Sequence, residues 1–157
     1  MRTIGTITLG THKTRRACLA SLQKNDIKVI RPWTEEILKK ILFTQTPIEL
    51  ELIEVSVKEL GFDEATRLDV ICRRIVERGF DLCPGEAGPV FREFYKHQPK
   101  GERIILVTEA ISISDDGPCI FRVGHGEDGL WLRADYGFYR DRYSLGYRFV
   151  VARRKQT

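Results

Sequence analysis

Residues 119–132 read CIFRVGHGEDGLWL, and their reading decides the fold. Two short apolar segments, 119–123 and 130–132, flank Gly126-Glu127-Asp128-Gly129, whose glycines and acids are turn residues. The pattern predicts strand, turn, strand. Upstream, residues 104–107 (IILV) are an unbroken apolar run of strand length, set between the breaker Gln98-Pro99-Lys100-Gly101 and the turn Asp115-Asp116-Gly117-Pro118. They predict a central strand. Downstream, residues 147–152 (YRFVVA) alternate well enough for a closing strand.

Two helices precede this run of strands. Residues 48–57 are strand-like, with Leu50, Leu52, Val55 and Val57 implying a bulge. Asp63 then suits a cap for a helix whose stripe is Leu68, Ile71, Cys72, Ile75 and Val76, with Gly79 as its stop. Pro84 and Pro89 each suit a first helical position, and a helix to about His97 would bury Phe91, Phe94 and Tyr95. Strand, helix, helix, then a run of strands is α+β with an antiparallel sheet, not a repeating βαβ pattern.

Residues 1–46 read as a basic α/β extension ahead of a domain spanning 47–157. Residues 3–9 predict a strand, 13–24 a helix, and 27–30 a short extended run. Thr34 is the expected cap of a helix to Phe43 that buries Ile37, Leu38, Ile41 and Leu42, with Trp33 stapled onto Leu38. The extension carries nine Lys/Arg against three Asp/Glu, while the remainder carries seventeen against nineteen, so the net charge of +4 originates entirely in the first part. An acidic partner, nucleic acid or plain solvation of helix faces all fit that excess.

Composition excludes several classes. The 157 residues form a chain long enough for a core without staples, and no apolar run approaches the length of a membrane span. MRTIGTITLG lacks the apolar stretch of a secretory signal, so the expected setting is cytoplasmic or virion-associated, with no membrane partner. The cysteines at 18, 72, 83 and 119 have no zinc-clip spacing; Cys72 and Cys119 read as buried thiols. No phosphate loop, His-Glu-x-x-His or nucleophile elbow occurs, and His12, His97 and His125 are scattered. Cys83 and Glu86, in CPGE, are read as structural, with Glu86 bonding the opening helix turn, against the alternative of a thiolate at a helix start. The acid pairs Asp115/Asp116 and Glu127/Asp128 do not fit a calcium loop and read as turns. Trp131 faces opposite to Leu130 and Leu132 and is read as core or as support behind a site. The expectation is a protein that is not an enzyme, with no cofactor and no metal.

The segment 133–147, RADYGFYRDRYSLGY, is the candidate site. It holds five aromatics, three arginines and two aspartates among small residues, the composition of a paratope. Tyr136, Phe138, Tyr139, Tyr143 and Tyr147 are expected to present rings to solvent as contact area. Arg133, Arg140 and Arg142 would supply bidentate or cation–π contacts, Asp135 and Asp141 charge selectivity, and Leu145 completes the set.

These residues bear a resemblance to a family. LELIEVSVKELGF, ERGFDLCPGEAGPVFREFY, QPKGERIILVTEAI, FRV, LWL and the closing YRFVVARR resemble the variable proteins of diversity-generating retroelements. The resemblance covers about residues 48–157 and implies a C-type-lectin-like fold: a strand, two helices, then a twisted antiparallel sheet bearing a hypervariable ligand-binding surface. Such diversification is implied to act on adenines of AAC or AAT codons, whose descendants cannot encode Lys, Glu, Gln, Met or Trp. None of those five occurs from Leu132 through Arg154, nor does Asn. At ordinary composition a run free of the five is roughly a one-in-a-hundred occurrence. The Glu-Pro-Asn and Trp-Asn-Asp elements of calcium-dependent lectins are absent, and so is a cysteine pair in the closing segment like that of formylglycine-generating enzymes. The resemblance implies a non-enzymatic binder of a protein or other macromolecule, with self-association left open. The other reading is a nucleic-acid-binding protein that joins the basic N-terminal segment to the Tyr/Arg loop.

Overall fold

The central strands are apolar on both faces, so the sheet needs a cover on each side. The computed structural model describes residues 1–109 and 119–154. Its elements are β1 (Arg2–Leu9), α1 (Arg15–Lys24), β2 (Lys28–Val29), α2 (Trp33–Lys40), β3 (Ile48–Ser56), β4 (Thr66–Arg67) and α3 (Leu68–Glu77). They continue as β5 (Phe80–Asp81), α4 (Ala87–Phe94), β6 (Arg103–Val107), β7 (Cys119–Gly126), β8 (Gly129–Tyr136), β9 (Arg142–Tyr143) and β10 (Arg148–Arg153). The main sheet runs β1-β3-β10-β6-β7-β8-β2, with β5 also on β10, and β4 pairs β9 separately. The expected α+β class holds, and the sheet is antiparallel except where β10 lies along β6 and β2 along β8.

Alternation divides the core in two. On β6, Ile104 and Leu106 join one buried cluster, while Ile105 and Val107 join the other. The first cluster is closed by Cys18 and Leu22 of α1, Ile37 and Leu38 of α2, and Ala87, Val90 and Phe91 of α4. The second is closed by α3 through Leu68, Ile71, Cys72 and Ile75. Residues 1–46 are thus part of the same packing: Ile7 and Leu9 of β1, which pairs with β3, share the first cluster with Leu132 and Val150.

Several local expectations change. Thr34 is not a cap; α2 starts one residue earlier, and the Thr34 hydroxyl donates to the Ile30 carbonyl while accepting from Ala134 N–H. That hydroxyl ties α2 to the strand edge, a bond available only after packing. Leu42 is 92 % exposed because α2 has ended. Trp33 is half exposed and meets Tyr136 edge-on rather than Leu38. Glu86 does not serve its own helix: its carboxylate accepts from Gly10 N–H at 2.7 Å and Thr44 N–H at 2.8 Å, tying the end of β1 and the segment before β3 to the start of α4. Asp115 and Asp116 lie outside the described residues. No helix among the described residues is long and apolar enough to cross a membrane.

Arg92 joins α4 to the β7–β8 hairpin from inside the fold. Its side chain has no solvent exposure. Nη1 donates to Gln98 Oε1 at 2.7 Å and to the Gly124 carbonyl at 2.9 Å, reaching the Trp131 carbonyl at 3.3 Å. Nη2 donates to the Tyr95 carbonyl at 2.6 Å. Among the described residues no carboxylate pairs with it, and burial pulls its pKa down to about 10, which still leaves it protonated at neutral pH. Gln98 in turn donates to the Glu102 and Val123 carbonyls. Removing the guanidinium would strand several buried acceptors. Arg92→Met should therefore cost about 2–4 kcal/mol, read as a lower urea midpoint with an unchanged slope.

Candidate ligand-binding site

After β8 the chain must return across two strands, because β10 inserts between β6 and β3. The crossing, residues 137–147, runs over the second face and is held by its main chain. The carbonyl of Asp141 accepts from Leu68 N–H at 2.7 Å, and that of Tyr139 from Asp69 N–H at 3.1 Å. Leu68 and Asp69 open α3, so the crossing satisfies donors that a helix start leaves without partners. This is why α3 begins at Leu68 and not near Asp63. The carbonyls of Tyr147 and Leu145 accept from Val57 and Lys58, and Tyr143 and Arg142 pair with Thr66 and Arg67.

Side chains are largely released from that work. Phe138, Tyr139 and Tyr147 are 50 %, 44 % and 45 % exposed, and Arg140, Asp141 and Arg142 are exposed too. Tyr143 departs from expectation. It is 5 % exposed, with its ring edge-on to Phe149 at 5.4 Å and Tyr147 at 5.2 Å. Leu145 packs partly on the same second core. Tyr136 departs differently: it packs on the first core, beside α2, where Lys40 Nζ donates to its hydroxyl at 2.8 Å. The candidate set therefore divides. Phe138 to Arg142 and Tyr147 form one outward surface, Tyr143 and Leu145 underpin it, and Tyr136 faces away.

Arg133 and Asp135 lie on the sheet beside the crossing. Arg133 Nε stands 3.0 Å from Asp135 Oδ2, and Arg122 Nε 3.8 Å from the same oxygen. Arg122 also stands near enough to Tyr143 to pull its phenol pKa down, against the larger upward push of burial. Arg122 pairs across the ladder with Arg133 and with Ile105, two residues along from Arg103. Together Arg103, Arg122, Arg133, Trp131, Tyr147 and Ile30 line a cleft of about 370 Å³. Trp131 is half-buried and lies over Gly124, where an added Cβ would run into the indole. Sequence reasoning missed Arg103 and Arg122. The available signal was an arginine between Phe121 and Val123, matching Arg133 between Leu132 and Ala134: a charge on the open face of an otherwise buried strand.

The other candidates are not brought into a site. Cys83 is wholly buried and its thiol pKa is driven far up by that burial, so it holds no thiolate. Burial likewise pushes Cys18 and Cys72 up to about 12. Glu127 and Asp128 form the exposed β7–β8 turn, and His97 is exposed beyond α4. Among the described residues no cluster of His, Cys, Asp and Glu is arranged to hold a metal ion. The basic helix α1 covers the first face, opposite the crossing. Comparison with protein-family models, curated proteins and solved structures finds no match for this chain.

The split between supporting and outward rings is measurable. Tyr143→Ala should cost about 3–4 kcal/mol in urea unfolding, whereas Tyr139→Ala should stay within about 0.5 kcal/mol of the parent. Tyr143 also has a pH signature. Burial, outweighing the pull of Arg122, raises its phenol above the ordinary value of 10.0. A group raised on folding contributes stability in full below its unfolded pKa and loses it as the pH climbs through the folded one. Tyr143→Phe should therefore lose less stability than the parent between about pH 9 and pH 11, measured by urea midpoints.

Proposed function

We propose that this chain is a non-enzymatic ligand-binding module with a C-type-lectin-like fold, a variable protein of the kind carried by diversity-generating retroelements. The succession of a strand, two helices and then strands, β3, α3, α4, β6–β7–β8 and β10, supports that reading, though β10 runs parallel to β6. The residues before β3 add a strand at each edge of the sheet and two helices to it. The contact surface is the crossing together with Arg133 and Asp135.

One observation carries the proposal. The crossing is secured through carbonyls of 139, 141, 145 and 147, while the side chains of 138 to 142 point outward. Main-chain bonds do not depend on side-chain identity, so this stretch accepts substitution without losing its path. Exposed Tyr, Phe and Arg supply large contact area at low ordering cost. A rigid sheet with a sequence-tolerant edge is the physical requirement for one scaffold to serve many ligands. The ligand would be a protein or other macromolecule met in the cytoplasm or on a virion. Against the nucleic-acid alternative, the basic α1 and the crossing sit on opposite faces, so they do not make one continuous path.

The test is the natural variation of the locus. Sequencing it across many isolates should find replacements concentrated at 133, 135, 138–142 and 147, arising at adenines, with an aromatic kept at 143 and an apolar residue at 145. A reverse transcriptase gene and a near-copy of the 3′ end should lie beside it. Replacements spread evenly along the chain, or a crossing that never varies, would overturn the reading.

A further inference from the structure

We propose that the cleft over β6, β7 and β8 binds a nucleotide unit, its phosphate taken by Arg103, Arg122 and Arg133 and its base laid on the Trp131 indole. The inference shares Arg133 and Tyr147 with the ligand-binding face above and rests on that reading to that extent. Its other parts come from strands outside the crossing.

Charge is the first argument. Three guanidinium groups stand on three neighbouring strands, through the pairings Arg103↔Gly124, Ile105↔Arg122 and Arg122↔Arg133. A single carboxylate, Asp135, serves Arg122 and Arg133, and Arg103 has no carboxylate partner among the described residues. Adjacent cations this sparsely neutralised favour an anion between them. A carboxylate ligand is satisfied by one arginine fork, whereas a phosphate presents enough acceptor oxygens to engage several guanidinium groups at once. Arg122 is also pre-positioned, lying 3.8 Å from Asp135 Oδ2 with two-thirds of its side chain covered.

Shape is the second. The Trp131 ring occupies the space over Gly124, where the missing side chain lets the indole approach the sheet closely. The cleft it lines, at about 370 Å³, is of small-ligand size. Tyr147 and Ile30 line it as well. A flat apolar platform beside a cationic cluster matches a heterocycle joined to a phosphate, because stacking needs only a π face. Inorganic phosphate would leave the platform empty, and a neutral ring would leave the arginines unanswered.

The experiment follows Trp131 fluorescence in a Trp33→Phe background, which leaves one tryptophan. Adenosine monophosphate, a short single-stranded oligonucleotide, inorganic phosphate and adenosine are titrated in turn. Saturable quenching by the monophosphate is expected, with phosphate and adenosine each at least about tenfold weaker. Tighter binding of the oligonucleotide would identify a strand as the source of the unit, and equal binding a free nucleotide. Arg103→Ala, at an exposed strand end, should weaken binding about tenfold with the fold intact by circular dichroism. The Arg15→Ala/Arg16→Ala pair on the opposite face should leave it unchanged. No saturable quenching by either nucleotide probe up to millimolar concentration, or binding indifferent to Arg103→Ala, would overturn the proposal. So would phosphate binding as tightly as the monophosphate. Failure here would leave the variation pattern of the crossing standing, and an invariant crossing would leave nucleotide binding standing.

Discussion

The arrangement depends on a buried cation held by carbonyl oxygens. Among the described residues Arg92 donates to four of them, three from the main chain and one from Gln98. A guanidinium can be held this way because its planar fork reaches several acceptors at once. Those acceptors belong to the end of α4, the connection after it and both strands of the β7–β8 hairpin. The bonds therefore set where β8 lies relative to the helix layer. Through β8 they also set where Trp131 and Arg133 stand, and where the crossing begins.

From that hairpin outward, structural work and surface chemistry are assigned to different atoms. The buried clusters use the alternate side chains of β6, β7, β8 and β10. Across the second face, the segment after β8 uses its carbonyls to close the start of α3 and the end of β3, and a single aromatic, Tyr143, to fasten itself to the core. The helix would otherwise begin with unmet donors, and the crossing would otherwise lie loose. Each stabilises the other, which leaves the side chains of 138–141 without a structural duty, while Arg142 also reaches the Ala65 carbonyl.

Much of this was readable in order and little of it in contact. The stripe of Leu68, Ile71, Cys72 and Ile75 marked α3, and the spacing of Cys18 and Leu22 marked α1, because local periodicity is a property of consecutive residues. The start of α3 was misplaced since its donors find acceptors far along the chain. Thr34 looked like a cap and serves as a helix-to-strand clasp. Glu86 looked like a helix-start acid and serves Gly10 and Thr44. Tyr136 and Tyr143 stood in the same aromatic run as Tyr139, yet strand alternation turned one to the other face and the crossing pressed the other inward.

The amino-acid order alone determined the α+β class, most element positions and the exceptional composition of 133–147. These follow from hydrophobic period, turn residues and counting. The tertiary structure alone decided which arginines gather, which tyrosines bear load, and that residues 1–46 share the core. Strand neighbours such as β10 and β6, or β8 and β2, come together through pairing that leaves no trace in adjacent residues. A polar side chain on a buried helix face, such as Arg92, reads like a surface residue until its acceptors arrive from elsewhere in the chain.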